Sequence, residues 1–465
     1  MQFNSLPFIV FAPIAVLLSY AVPQKLRQYF ILLASLFFYL SFGVPAIFVL
    51  AAIWLVTAVS AYFIHKTHAK PVLVISLLLI IGLLVSFRFM NAAENTWFGK
   101  TVSFSLFVPI GISFYSLNAV GYLADLYKGK MEQSMPAVTT ALFLSFFPTV
   151  TSGPILRAKE FSKQAGNEVP LSYQRIRKGF LWILWGYFLK LVISERCALF
   201  ANTVYGNPEL IGLPVLMAVV FYSIQIYSDF AGYSLIAKGL AYSLGYEIPD
   251  NFRQPYLSES IREFWRRWHI SLSTWLRDYV YIPLGGSRCT KLRKHLNLMI
   301  TFLISGFWHG KGMTFLIWGG LHGVYQIAED LIHGLKKKTD QKSDLRLPKI
   351  LLTFMLVSIA WVFFRSYGVM ESLDIIRRSL IPAGWGSLFS ETLYTWGLDA
   401  RNFWILIVSI ILLTVVDSFE YRNHSVMQWF DRQNIAVRIV LLWILVFVIL
   451  ISLNISAAEF IYMQF

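Results

Sequence analysis

Long apolar segments separated by short polar loops run along most of the chain. Five precede residue 130, at 5–22, 30–42, 46–64, 72–85 and 102–123. Several approach the roughly 20 residues that a helix needs to cross a bilayer. The loops at 24–27, 65–70 and 128–130 are basic, whereas 43–45 and 91–100 are predicted to be external. The positive-inside rule therefore places the three basic loops in the cytoplasm and the N-terminus outside.

The segment 138–150 breaks this alternation. It is short, it ends at the sequence Thr151-Ser152-Gly153-Pro154, and basic residues flank it on both sides. We therefore predict a re-entrant hairpin. Non-helical backbone at membrane depth is tolerated only where protein or a water-filled cavity surrounds it, so the hairpin indicates a cavity.

The segments 180–193, 215–230 and 231–244 raise a conflict of topology. Three full crossings would place the basic region 253–294 outside, against the charge rule. We expect that one of the last two helices lies partly in the interface or does not cross completely. The basic region is then cytoplasmic.

The segments 296–308 and 313–333 predict a helical hairpin that starts and ends at the cytoplasmic face. Its turn holds His309, which places this side chain well inside the membrane. A solvated connector at 336–349 and segments at 350–364, 403–416 and 437–453 complete the bundle. The predicted fold is an all-α polytopic membrane protein with about 11–13 transmembrane helices plus re-entrant helices.

One membrane-embedded domain, 1–465, is expected, because no internal repeat or low-complexity tract interrupts the chain. We divide it into N-terminal helices at 1–135, a core at 136–345 and C-terminal helices at 346–465. The core contains the re-entrant segment and the histidines considered below.

Composition agrees with the membrane class. The chain is 57% hydrophobic and 14% charged, against about 25% charged residues in soluble domains. The net charge of +15 reflects topology and contact with anionic lipids, not nucleic-acid binding. Cys197 and Cys289 are the only cysteines, too few for a disulfide framework or a cysteine metal site. The first segment lacks a basic start and a clear cleavage site, so we interpret it as a retained helix.

His309 is the first candidate for chemistry. An ionisable side chain within the membrane is a functional hypothesis by default, and imidazole titrates near neutral pH, as a general base requires. Gly306, Gly310 and Gly312 allow another backbone or a ligand to approach closely. A purely structural histidine that donates to a carbonyl is the alternative.

His269 lies in a run rich in arginine and tryptophan. One interpretation is an interfacial helix with Trp265, Trp268 and Trp275 at headgroup level. On such a helix, Trp268, His269 and Leu272 would fall on one face. The other interpretation is a polar group directed into the cavity. Both stay open. His322 follows His309 by 13 residues, but the glycines between them leave its face undecided, and a structural role is favoured.

A zinc site formed by His269, His309 and His322 is the main alternative. Without an HExxH pair or a nearby cysteine, no metal is predicted. Serine-nucleophile, phosphate-loop and dinucleotide fingerprints are also absent from the sequence.

Five ordered motifs resemble one known family. They are VPIGISF at 108–114, FFPTVTSGPI at 146–155, QIYSDFAGYS at 225–234, the long run from Phe264 to Gly286, and WVFFR at 361–365. The chain is identified as a member of the membrane-bound O-acyltransferases and resembles the bacterial alginate O-acetylation branch. Peptidoglycan O-acetylation proteins and, more distantly, D-alanyl-teichoic-acid transferases are related.

The resemblance implies a ring of helices around a central tunnel in the bacterial inner membrane. It implies that His309 is catalytic and that His269 is its polar companion. We expect transfer of an acetyl group from a cytoplasmic thioester donor, acetyl-CoA or an acyl carrier protein, with no bound cofactor. The acceptor would be an extracytoplasmic polysaccharide, reached through a separate extracytoplasmic acetyltransferase. D-alanyl transfer to teichoic acid, a solute transporter and a scaffold are the alternatives.

Further residues are expected to bind or orient the substrates. Asp229, Asn251 or His269 would orient the catalytic imidazole. Basic side chains of the cytoplasmic region suit the phosphates of the donor, because the guanidinium group binds them in a fork geometry. The remaining candidates for this binding role are Arg266, Arg267, Arg277, Trp268, Ser271, Trp308 and His322.

Overall fold

The computed structural model describes residues 1–90, 108–335 and 346–453. It is 76% helical, without a strand in these ranges. The first ten helices are α1 (Leu6–Ala21), α2 (Gln24–Leu40), α3 (Val44–Thr67), α4 (Lys70–Met90), α5 (Ile112–Tyr127), α6 (Ala137–Ser145), α7 (Ala158–Gln164), α8 (Tyr173–Tyr187), α9 (Glu195–Tyr205) and α10 (Leu213–Ser243). The predicted loop 91–100 and most of the connector 336–349 lie outside the described residues.

The second half of the chain is built in the same way. Its helices are α11 (Ile261–Arg267), α12 (Ile270–Leu276), α13 (Lys291–His309), α14 (Met313–Leu335), α15 (Arg346–Arg365), α16 (Val369–Ser379), α17 (Ala400–Tyr421), α18 (Val426–Arg432) and α19 (Ile435–Leu450). Two π-helices, Phe188–Ser194 and Arg277–Tyr281, and three short 3-10 helices, Pro255–Leu257, Trp385–Phe389 and Glu391–Thr395, complete the regular structure of the described ranges.

Five helices in the described ranges are long and apolar enough to cross a membrane, which makes this a multi-pass membrane protein. They are Val44–Thr67, Lys70–Phe87, Leu213–Ser243, Arg346–Arg365 and Ala400–Tyr421, and Leu6–Ala21 and Ile435–Leu450 are shorter apolar helices. The sequence prediction of about 11–13 crossings also counts helices that are shorter or more polar, such as α5, α13 and α14. The fold class is all-α, as predicted.

Contacts group the chain into two units, each described by itself. Unit 1 comprises Met1–Ile183 and Tyr233–Asp250, and unit 2 comprises Leu184–Gly232 and Asn251–Phe465. In unit 1, α6 ends at Ser145 and a buried non-helical stretch follows up to Pro154. A short helix followed by buried irregular backbone lies where the sequence predicts a re-entrant hairpin, and the re-entry itself stays a prediction. Gly111 lets the backbone before α5 touch the carbonyl of Val150.

The segments 215–230 and 231–244 are one helix, α10, of 31 residues. The prediction of two helices is therefore wrong. Gly232 and Gly239 lie inside this helix as contact points with neighbouring backbone, and Lys238 pairs with Asp250. A single crossing removes the conflict with the charge rule, because the region 253–294 then follows one inward passage.

Helices α13 and α14 form the predicted hairpin within unit 2. A Cβ atom at Gly306 would meet the carbonyl of Phe315, and one at Gly319 would meet the carbonyl of Phe302. These glycines therefore bring two helix backbones together. His309 is the last residue of α13, so the hairpin carries it to the turn end.

Candidate active site

The segment that carries His269 is two short helices, α11 and α12, with a break between them. Trp268 is extended and His269 takes the left-handed conformation, with φ of 42°. The predicted helix face shared by Trp268, His269 and Leu272 is therefore wrong. A left-handed backbone costs a non-glycine residue about 1–3 kcal/mol and is typical of functional sites. Ile270 N–H donates to the Asn251 carbonyl at 2.9 Å, which supports this turn.

The Asn251 side chain fixes the His269 ring. Its Oδ1 lies 3.0 Å from His269 Nδ1 and accepts from Ser271 Oγ at 2.9 Å and from Ser271 N at 3.3 Å. An amide oxygen only accepts, so His269 Nδ1 carries the proton and Nε2 keeps its lone pair. His269 lies outside the five candidate spans, and burial lowers its pKa to about 3. The ring is therefore a neutral acceptor at physiological pH.

The tryptophans of this segment are buried in protein. Trp265, Trp268 and Trp275 are 8%, 1% and 7% exposed. The interfacial interpretation, which needs them at headgroup level, is therefore wrong. Trp268 packs against Phe252 and Trp361, with ring centroids 5.0 and 4.9 Å away. These rings form a wall of the region around His269.

His309 is enclosed by three aromatic rings. Its centroid lies 4.7 Å from Trp308, 5.0 Å from Trp318 and 5.3 Å from Phe364, and the side chain is buried. Trp308 also approaches His269, at 6.3 Å between centroids. The structure thus places His269 and His309 against the same indole, although 40 residues of sequence separate them.

His322 joins the same aromatic cluster from α14. Trp265 Nε1 donates to His322 Nδ1 at 3.2 Å, so Nε2 carries the proton of the neutral ring. The Trp318 ring lies 5.2 Å from His322 and 5.0 Å from His309. One indole therefore contacts both histidines of the hairpin, a relation that their spacing could not decide.

The histidines do not gather as a metal site. In the ranges that the structure describes, no three histidine, cysteine, aspartate or glutamate side chains are grouped so that they could hold an ion. His309 and His322 each face rings of tryptophan and phenylalanine. Both imidazoles therefore lie in an aromatic, apolar surrounding.

The other predicted residues have varied surroundings. Asp229 is buried and pairs with Lys190 at 2.7 Å. Arg267 donates to Glu263 at 2.9 Å and lies over the Tyr421 ring at 4.4 Å. The exposed Arg277 donates to Asp278 at 2.8 Å, and Arg266 is exposed. Arg267 therefore makes structural contacts with Glu263 and Tyr421, while Arg266 and Arg277 lie on the surface.

Sequence reasoning missed three aromatic rings of the site and one buried lysine. The rings of Trp318 and Phe364 pack against His309. The Phe230 ring packs edge-on against His269, with 4.6 Å between the ring centroids. Lys190 was also passed over as part of the apolar segment 180–193. An ionisable side chain inside such an apolar segment is a functional hypothesis by default, so Lys190 could have been identified as a candidate from the sequence.

In the described ranges, the chain is a multi-pass helical membrane protein with buried histidines in an aromatic cluster. The sequence model of the membrane-bound O-acyltransferase family (MBOAT) matches residues 56–370, a region that includes every histidine of the site. The chain belongs to this family, and it is an acyltransferase.

Individual relatives narrow the comparison. The chain is 33% identical over 404 residues to the probable alginate O-acetylase AlgI of Pseudomonas syringae, covering 84% of this chain and 75% of that protein. It is 33% identical over 402 residues to the peptidoglycan O-acetyltransferase of Helicobacter pylori, covering 78% and 75%. It is 28% identical over 331 residues to the teichoic acid D-alanyltransferase of Bacillus subtilis, covering 66% and 80%.

Proposed function

We propose that this protein moves an acetyl group from a thioester donor on the cytoplasmic face across the membrane, for the O-acetylation of a polysaccharide beyond the opposite face. The inner membrane of a bacterium is the proposed location. The burial of His309 at the turn of the hairpin, inside an acyltransferase of this family, is the observation that carries the proposal. Acetyl is favoured over D-alanyl because the relatives named for O-acetylation are more similar and cover more of the chain.

His309 is assigned as the proton acceptor. The acceptor hydroxyl oxygen attacks the carbonyl carbon of the thioester while His309 takes the hydroxyl proton. Collapse of the tetrahedral intermediate breaks the carbon–sulfur bond, and His309 returns the proton to the sulfur. The products are an ester and a free thiol, so atoms and protons balance without a cofactor.

The position of His309 suits a transient positive charge. It is the last residue of α13, and the C-terminal end of a helix favours cations by about 0.3–1 kcal/mol. Aromatic faces attract a cation as well. The surrounding rings of Trp308, Trp318 and Phe364 also keep water from the thioester.

His269 is assigned as a neutral hydrogen-bond acceptor. Asn251 fixes its tautomer, and its contact with Trp308 places it beside His309. We propose that Nε2 of His269 accepts from a second donor group of the acceptor molecule, so that the attacking hydroxyl is held beside His309 with its proton directed to His309. Asn251 therefore orients the companion histidine, and Ser271 supports Asn251.

Donor and partners complete the proposal. Acetyl-CoA or an acyl carrier protein supplies the thioester from the cytoplasm, and the exposed Arg266 is the candidate contact for its phosphate. Membrane lipids surround the helices, and a separate extracytoplasmic acetyltransferase receives the acetyl group and delivers it to the polysaccharide. Trp268 and His322 shape the aromatic wall.

Proteoliposomes with one orientation test the donor and the direction. Acetyl-labelled CoA and an acetyl-loaded carrier are offered to the cytoplasmic face, with a D-alanyl-loaded carrier as the comparison. We expect thiol release from an acetyl donor only when it meets that face. Release from the D-alanyl carrier alone would assign D-alanyl transfer, and solute flux without thiol release would indicate a transporter.

A further inference from the structure

A buried ionic cluster lies in unit 2, on the helix that follows the basic region 157–178. Lys190 Nζ is 2.7 Å from Asp229 Oδ1 and 3.2 Å from Glu195 Oε1, and each of the three side chains is at most 2% exposed. Removing such ions from water costs several kcal/mol apiece. Ionisable groups buried among membrane helices accordingly mark function by default.

A π-helix makes this cluster possible. The Glu195 N–H donates to the carbonyl of Lys190, five residues before it. In an α-helix, residues five apart are rotated by about 140° around the axis, so their side chains diverge. The wide π turn brings Glu195 back toward Lys190, while Lys190 also reaches Asp229 on α10. Such turns are frequent at functional sites.

A second contact holds α10 to the same segment. A Cβ atom at Gly232 would lie 2.7 Å from the Gly186 carbonyl and 3.2 Å from Lys190 N. Gly232 follows Asp229 by three residues, so both lie on one face of α10. The ion pair and the backbone contact therefore fix the same stretch of α10 at two neighbouring points.

Phe230 connects this stretch to the candidate active site. Its ring stands at 89° to the His269 ring, with 4.6 Å between centroids, and it also packs on Phe252 at 5.1 Å. Phe230 directly follows Asp229 in the chain. A shift of α10 at Asp229 therefore moves the ring that presses on His269.

We propose that Lys190, Glu195 and Asp229 form a positioning element that holds His269 in its reactive orientation through Phe230. This rests on the proposed role of His269 in acyl transfer. The cluster does not touch the reacting atoms. The cluster fixes the position of the Phe230 ring beside His269. The ion pair between Lys190 and Glu195 stabilises the π-helix.

Variants separate positioning from simple helix packing. The triple variant K190M/E195Q/D229N removes all three charges of the cluster together. G232A keeps every charge but forces α10 away from Gly186. K190R keeps a cation for Asp229 and is the conservative rescue.

Arg196 supplies the matched control on the same helix. It is fully buried and donates to Asn402 at 3.2 Å, to Ser452 at 3.1 Å and to the Val192 carbonyl at 2.9 Å. Neither Asn402 nor Ser452 belongs to the cluster of Lys190, Glu195 and Asp229. R196M therefore removes a buried charge from the neighbouring residue and leaves the described contacts between Lys190 and α10 in place.

The first readout is independent of activity. Isotope-labelled histidine in nanodiscs gives solid-state nitrogen NMR signals for the eight histidines, and His269→Asn identifies the signal of His269. We expect one neutral tautomer with the proton on Nδ1 in the wild type, K190R and R196M. The triple variant and G232A are expected to show a second ring state. An unchanged His269 signal in both variants would overturn the proposal.

The second readout is turnover per folded protein. The triple variant and G232A are expected to lose on the order of 10- to 100-fold in kcat, because small misplacements cost that much, with KM nearly unchanged. R196M should keep its kcat. If the triple variant keeps full kcat while thiol release by the wild-type protein depends on His309, the positioning proposal is refuted and the proposed function is not. A wild type that releases thiol without needing His309 would instead refute the proposed function, and the NMR readout would still decide the inference.

Discussion

Replacing Asn251 tests how the site holds His269. In Asn251→Ala, the acceptor of His269 Nδ1–H and of the Ser271 N–H and hydroxyl is lost at once. Each buried donor left without a partner costs about 1–3 kcal/mol. Because the histidine can change tautomer and the hydroxyl can rotate, we expect a net loss near the lower end, about 2–4 kcal/mol of stability.

The effect on catalysis follows from the tautomer. With Oδ1 gone, His269 no longer has a reason to keep its proton on Nδ1, and Nε2 loses its fixed role as acceptor. If Asn251→Ala removes a preference of about 1.4 kcal/mol for the tautomer with the proton on Nδ1 of His269, kcat falls tenfold. Thiol release per folded protein in nanodiscs, with folding followed by thermal unfolding, measures both quantities.

Asn251→Asp and Ser271→Ala are the matched variants. The aspartate keeps an acceptor for His269, so this variant should retain the fold. Its negative charge favours the imidazolium form of His269, so the apparent pKa of the acid limb of the pH–rate profile should rise. Ser271→Ala removes one donor to Asn251 and should cost about 1 kcal/mol. Wild-type stability and wild-type kcat in Asn251→Ala would refute the idea that this amide holds His269.

Three further outcomes follow from the geometry. Trp318→Phe should lower kcat about tenfold, because the space left beside His309 loosens the ring. Trp396→Phe, at a tryptophan that is also buried, should not lower it. The low pKa of His269 keeps it neutral when folded, while the unfolded ring binds a proton below pH 6.5. The contribution of His269 to stability should therefore fall by about 1.4 kcal/mol from pH 7.5 to 5.5, and thermal unfolding should show a smaller total fall in His269→Asn. Gly306→Ala should destabilise the protein by about 1–3 kcal/mol through overpacking. Chemical unfolding in detergent measures this loss, and an unchanged unfolding midpoint would contradict the prediction.

Hydrophobic patterning was enough to predict most helices. The spans at 5–22, 46–64 and 403–416 correspond to α1, α3 and α17, within a few residues at their ends. Length and lipid-compatible composition are local properties, so a window of sequence contains them. The hairpin of α13 and α14 was predictable for the same reason, since its glycines mark the turn between two apolar runs.

Glycine was harder to interpret. Gly232 and Gly239 look like helix breakers in an apolar run, yet both lie inside one helix and serve as contact points with another backbone. A glycine that ends a helix and one that admits a neighbouring helix look the same in a single sequence. Only the three-dimensional partner distinguishes them.

The chemistry of the site depends on distant pairs. Asn251 meets His269 across 18 residues, and Trp318 lies between His309 and His322 only because the hairpin turns back. The left-handed backbone of His269 leaves no trace in residue type, because its neighbours all suit a helix. The candidates could thus be chosen from sequence, but their roles required the fold.

The central claim is that His309 performs the proton transfer of an acyltransferase. The most direct measurement is the initial rate of thiol release from an acetyl thioester by the purified protein in nanodiscs, wild type beside His309→Ala, at equal amounts of folded protein. We predict steady release by the wild type and a loss of at least about 1,000-fold in the variant. Equal rates in the two proteins would contradict the assignment of His309.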